Sequence, residues 1–280
     1  MQHDLLPLPR PSGPALSRRR WRLETGMPRA ALFIVHGIHE HGGRYAYVAS
    51  QMLLHGIEVH ALDLRGHGHS EGTPGRVDSF DAYVEDVALF LDTVRAETDG
   101  LPQILLGHSM GGLVTALYVA ERGFDLDGLV LSSPALGLAG SGSAPVRSLL
   151  RLAARVYPDF PLSRSRLPKL ARDERVARMA EEDPLVLSQP VSAGMGVAFV
   201  DALDRVWART DAFTMPLYLF HGTDDSITQP GATERFAGAV PSQDVTLRLY
   251  EGGYHETMND FDRDVVIADL IAWILARVGA

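Results

Sequence analysis

A short apolar run, Gln103-Ile104-Leu105-Leu106, meets an amphipathic run, Leu113 to Ala120, across Gly107-His108-Ser109-Met110-Gly111. The first run predicts a buried strand and the second a helix. So little chain between them forces a sharp strand-to-helix turn. Glycines flank the serine because a side chain would clash in so tight a bend. Such a turn lifts the serine hydroxyl out of the sheet and aims the next backbone N–H groups at one spot. Taken alone, the pattern G-x-S-x-G recurs by chance, and a Gly-rich turn holding a hydrogen-bonded serine explains it. Here an acid and a histidine follow in the order Ser, acid, His, which points to acyl transfer on an activated serine.

The rest of the chain alternates strand-like and helical runs. Ala31–Val35, Ile57–Leu62, Leu129–Leu131, Leu217–Phe220 and Val245–Tyr250 read as strands; Gly43–His55, Phe80–Glu97 and Arg263–Arg277 read as helices. This alternation predicts an α/β fold: a mostly parallel central sheet with helices on both faces. Ligands of such sheets bind beyond the carboxyl ends of the strands. The rhythm breaks between Ala135 and Thr214, a proline-bearing stretch with helical pieces at Pro145–Val156, Asp173–Glu181 and Ala193–Trp207. We read residues 135–214 as an inserted, mainly helical cap, and residues 17–134 and 215–280 as the core. Residues 1–16 read as a mobile arm. Within the first cap helix, Arg147, Arg151 and Arg155 form one stripe. That stripe is either a solvated face or a transient contact with a membrane or micelle surface.

Composition removes several classes of function. With 26 Lys and Arg against 35 Asp and Glu, the net charge is −9, and nucleic acid is not an expected partner. No cysteine is present, so thiolate nucleophiles, thiolate metal sites and disulfides are excluded. Neither a secretory h-region nor a twin-arginine leader is recognisable near Arg18-Arg19-Arg20, and no apolar run reaches the roughly 18 residues of a spanning helix. The expected location is cytoplasmic, with membrane contact no more than peripheral.

A serine hydroxyl needs a base, and the base needs an orienting acid. His255 lies in Glu251-Gly252-Gly253-Tyr254-His255-Glu256, directly after the last strand, and is the candidate base. The acid should follow the preceding strand, where Asp224 and Asp225 stand side by side; the residues alone leave both open. Oxyanion donors should be the N–H of Met110 and an N–H from the loop His36-Gly37-Ile38-His39-Glu40-His41-Gly42-Gly43. Its position after His-Gly selects Ile38. Glu40 and Arg44, from the same region, are the expected substrate contacts. His36, His39 and His41 raise the idea of a metal site, but no carboxylate or cysteine pattern accompanies them. The turn Asp63 to Ser70 lacks a phosphate-loop ending and reads as structural. No metal or organic cofactor is expected.

Together, His36 to Tyr45, Asp63 to Gly72, Gly107 to Gly112 and Tyr254-His255-Glu256 resemble the monoacylglycerol lipase and lysophospholipase group of the α/β-hydrolase fold. Asp183-Pro184-Leu185-Val186 resembles a segment of that group's cap. The resemblance implies a serine hydrolase acting on lipid-like carboxylic esters, first of all monoacylglycerols, with Ser109 as nucleophile, Asp225 as acid and His255 as base. It also implies a hydrophobic cap. Ile38 is bulkier than the small residue of animal members, and Met258 replaces a histidine that some members place near the headgroup. Alternatives with the same residues are a general carboxylesterase, a lysophospholipase or a thioesterase. A binding protein on an inactive hydrolase fold is the non-enzymatic alternative, although such proteins usually lack a triad member and this chain lacks none.

Overall fold

The computed structural model describes residues 2–10, 12–137, 151–162 and 169–278. Among them, strands β1 (Gln2–Leu8), β2 (Leu16–Arg22), β3 (Ala30–Val35), β4 (Ile57–Asp63), β5 (Gln103–His108), β6 (Gly128–Ser132), β7 (Leu217–Gly222) and β8 (Val245–Tyr250) form one sheet, ordered β1-β2-β4-β3-β5-β6-β7-β8. From β4 through β8 all neighbours are parallel; β1 and β2 are antiparallel additions. Helices α1 (Ala46–Leu54), α2 (Asp81–Glu97), α3 (Met110–Arg122), α4 (Glu174–Glu182), α5 (Ala193–Trp207), α6 (Pro230–Ala239) and α7 (Arg263–Leu275) surround it.

Every residue of β3 is buried because helices cover both faces, so its sequence is a continuous apolar run rather than an alternation. Its side chains still divide by the period of two. Ala31, Phe33 and Val35 join the core made with α2 and α3, while Ala30, Leu32 and Ile34 join the one made with α1 and α7. Helix α5, from the inserted region, contributes Met195, Phe199 and Leu203 to the first core, and Phe199 meets Phe80 edge-on at 4.9 Å between ring centroids. The chain between β6 and β7 therefore shares its apolar interior with the sheet. Residues 151–156 are helical; residues 138–150, including Arg147, lie outside the described residues.

The expected mobile arm is corrected by the structure. Gln2 to Leu8 pair residue by residue with Arg22 to Leu16, forming the edge of the sheet, and Leu8 and Leu16 are almost fully buried. Proline and polar side chains hid this strand, because an edge strand buries little and reads as loop. Ladder hydrogen bonds and those two leucines hold it. Replacing Leu8 by Ala should cost about 2–5 kcal/mol in a denaturant titration. A freely moving segment would leave the midpoint unchanged.

Candidate active site

Ser109 follows β5 directly, Asp225 follows β7, and His255 follows β8. Parallel register brings these three strand ends to the same edge of the sheet. His255 Nε2 lies 2.8 Å from Ser109 Oγ, and His255 Nδ1 lies 2.7 Å from Asp225 Oδ2. All three side chains are buried, with at most 8% of each residue exposed. Ser109 has φ 53° and ψ −117°, a sparsely populated conformation that costs on the order of 1–3 kcal/mol. The surroundings enforce it: Ser109 N–H donates to Ser132 O at 3.0 Å, and Leu113 and Ala135 N–H both donate to Ser109 O. A Cβ on Gly111 would strike the carbonyls of Val35 and His36, so only glycine lets α3 start this close to the end of β3.

The adjacent carboxylates differ sharply in their surroundings. Asp224 is exposed, whereas Asp225 is buried and fully engaged. Its Oδ1 accepts from the N–H groups of Ile227 and Thr228, and its Oδ2 accepts from His221, Thr228 Oγ1 and His255. Burial pushes its pKa up, but the bonds from His221 and His255 outweigh that and hold it far below the usual carboxylate range. The carboxylate is thus a fixed anion that orients the imidazole.

The loop after β3 lies against the serine. A Cβ added to Gly37 would come within 3.1 Å of Ser109 Cβ and 2.9 Å of Glu40 Oε1. Ile38 is next in the chain, with its side chain packed on the first core. Met110 is the first residue of α3, so its N–H is one of the helix's intrinsically unpaired donors. Gly37, which precedes Ile38, thus lies against the Ser109 side chain, and Met110 follows Ser109 in the chain.

A family sequence profile described as "Serine aminopeptidase, S33" matches residues 26–262. The chain belongs to this family. A monoacylglycerol lipase of Mycolicibacterium smegmatis is 32% identical over 259 residues, which cover 92% of each chain. A human monoglyceride lipase is 35% identical over 278 residues, covering 98% of this chain and 91% of the other. The crystal structure of a monoacylglycerol lipase from Paleococcus ferrophilus superposes with TM-score 0.81 at 28% identity, over 94% of this chain and 99% of that one. The fold is accordingly that of the α/β-hydrolases, and the chain is a carboxylic ester hydrolase.

Within this S33 hydrolase, Glu40 and Arg44 are both engaged by other groups of the protein. Glu40 Oε1 accepts from Gly37 N–H at 2.6 Å and from the Tyr45 hydroxyl at 3.0 Å. Arg44 spans Glu40 Oε2 at 3.0 Å and both oxygens of Glu256 at 2.6 and 2.7 Å. Both side chains are joined in one ionic cluster, a partnership the sequence alone did not reveal. The three loop histidines also separate. His36 Nε2 accepts from Leu64 N–H, while His41 Nε2 faces Asp183 at 2.9 Å. His39 is mostly buried and adopts φ 66°. Met258 is packed in the second core.

Three supporting residues were given no role at the site from the sequence. Thr228 and His221 complete the shell of Asp225, and Glu256 anchors Arg44. The spacing Asp225-x-x-Thr228 carries a readable signal, because a carboxylate that caps the N–H two and three residues on is a common local motif. Glu256 offers no such signal, since its partner lies 212 residues away.

Several histidines of the site are kept neutral by burial. It lowers His108 to about 4, with the nearby His255 charge adding to the effect, and lowers His39 to about 4 and His67 to about 3. The unfolded chain would bind protons at these groups below about pH 6.5, while the folded chain would not. Their contribution to stability is therefore complete above pH 6.5 and is lost as pH falls toward 4. The depressed carboxylates Asp225 and Glu40 act in the same direction at lower pH. A thermal melt at pH 5 should have a Tm on the order of 10 °C below one at pH 7.5. An unchanged Tm would contradict the buried neutral histidines.

Proposed function

We propose that this hydrolase cleaves lipid-like carboxylic esters, monoacylglycerols first among them, through Ser109, His255 and Asp225. The observation that carries the reading is the single imidazole bridging a strained serine and a buried carboxylate. Ser109 Oγ attacks the ester carbonyl while its proton passes to His255 Nε2. Asp225 Oδ2 holds the Nδ1–H and stabilises the imidazolium that forms. The N–H groups of Ile38 and Met110 receive the negative charge on the carbonyl oxygen. His255 then protonates the departing alcohol, leaving an acyl-enzyme. Water, deprotonated by the same imidazole, releases the carboxylic acid and restores the hydroxyl.

Preference for a lipid-like substrate is supported by the lipases this chain is similar to. Contact with a lipid aggregate is supported by exposed apolar side chains in the inserted region: Leu152, Val156, Tyr157, Phe160 and Met179. The arginine stripe lends this less support, because Arg151 is paired with Asp201 at 2.6 Å. Among the described residues no helix is long and apolar enough to cross a membrane.

Ser109→Ala should abolish turnover of a soluble p-nitrophenyl ester. Asp225→Asn should lower kcat by about 10⁴-fold, the cost of a misoriented imidazole. Asp224→Asn should stay within a few-fold of the parent, and the opposite ranking would move the acid. Across monoacylglycerols, lysophospholipids and short-chain esters, the highest kcat/KM is expected for a monoacylglycerol. A lysophospholipid in first place would overturn the substrate while leaving the chemistry.

A further inference from the structure

Glu256 is next to the base, yet it has no step in the reaction. Its carboxylate meets Arg44 in a two-point fork at 2.6 and 2.7 Å, a geometry that suits a planar guanidinium and that an ammonium cannot reproduce. The same Arg44 Nη1 reaches Glu40 Oε2, and Glu40 Oε1 accepts the N–H of Gly37. Followed from one end to the other, a chain of short bonds runs from the residue after His255 to the residue before Ile38. Its far end is anchored twice: Asn259 Nδ2 donates to Glu256 Oε2 at 2.9 Å, and Glu256 N–H donates to Leu170 O at 2.7 Å. Tyr45 braces the near end through its hydroxyl on Glu40.

Stability is a poor explanation for this cluster. Glu40 and Glu256 are each about 95% buried and share one guanidinium, so the group carries one more negative charge than positive. Buried ion pairs roughly break even against well-packed apolar side chains, and a second buried carboxylate makes the balance worse. Geometry is a better one. The loop after β3 and the loop after β8 leave different strands, and this cluster links them directly.

We infer that the Glu256–Arg44–Glu40 cluster is a positioning strap that fixes the spacing between His255 and the Ile38 N–H, so that base and oxyanion donor address one carbonyl group. The inference rests on the assignment of Ser109, His255 and Ile38 proposed above. These residues touch neither substrate nor reacting atoms; they act through the two loops they join. A displacement of about 1 Å at such a site costs about 100-fold in rate.

The test is steady-state kinetics of Glu256→Gln and Arg44→Lys on a soluble short-chain ester, with reactive sites counted by fluorophosphonate titration. Gln keeps the shape and removes a charge; Lys keeps the charge and removes the fork. The expected result for each is a kcat per titrated site about 10- to 100-fold lower, with KM within about twofold. Fluorophosphonate labelling should slow in parallel, because it uses the same nucleophile, base and oxyanion donors. Should Glu256→Gln fail to fold, Arg44→Lys carries the measurement. Normal kcat per site alongside a lowered Tm would overturn the strap and leave a structural ion cluster. A raised KM at normal kcat would overturn it in favour of substrate contact. Loss of labelling in the parent enzyme would instead remove the Ser109 assignment, and the strap with it.

Discussion

A carboxylate taken out of water must be repaid in hydrogen bonds, and Asp225 shows what that requires. Two backbone N–H groups, one threonine hydroxyl and two imidazoles converge on it. Leaving one of these donors out would strand part of a buried charge, at a cost of several kcal/mol. The need to satisfy this anion draws the loop after β7 into a tight turn, and burial lowers the pKa of His221 beside it against the opposing pull of the carboxylate. It also pins Nδ1 of His255, which leaves Nε2 as the nitrogen facing Ser109. The tautomer follows from the acid, and the acid follows from its burial.

The sheet supplies the other half of the arrangement. Three parallel strands end at one edge, so residues far apart along the chain arrive within hydrogen-bond distance without long connections. Buried polar links then bind the loops at that edge to one another. Asp63, at the end of β4, accepts N–H groups from Gly42 and His69 and so joins the turn after β4 to the loop after β3. His108 is held by Ser132 Oγ and packs against His255 with tilted rings whose centroids are 4.9 Å apart. Rigidity at the site comes from these polar crosslinks, while the two apolar cores on either face of the sheet supply most of the burial.

Core strands were legible because both of their faces are covered: Ala31–Val35 and Leu217–Phe220 are apolar without interruption. Val245–Tyr250 was read with the observed bounds, and α5 likewise. The antiparallel edge was not legible. β2 reads Leu-Ser-Arg-Arg-Arg-Trp-Arg, a polar string, yet Arg18 and Arg19 are buried. Arg18 meets His60 and Glu97, and Arg20 meets Glu58. Long-range ion pairs bury charges that a local pattern can only score as exposed. The same reason explains Glu40 and Arg44. Glu40 and Arg44 read as a local charged pair until their third partner, Glu256, is in view.

The amino-acid order alone specified the turn at Ser109, the succession Ser, acid, His, and the alternation that places each of them after a strand. Those are local matters of steric fit and apolar periodicity, written in neighbouring residues. Which of two adjacent aspartates is buried, which charges are already paired, and how the first residues join the sheet were decided by the tertiary structure. Each of these depends on what stands opposite in space, and some of the partners are distant along the chain: 30 residues separate Asp225 from His255, and 212 separate Arg44 from Glu256.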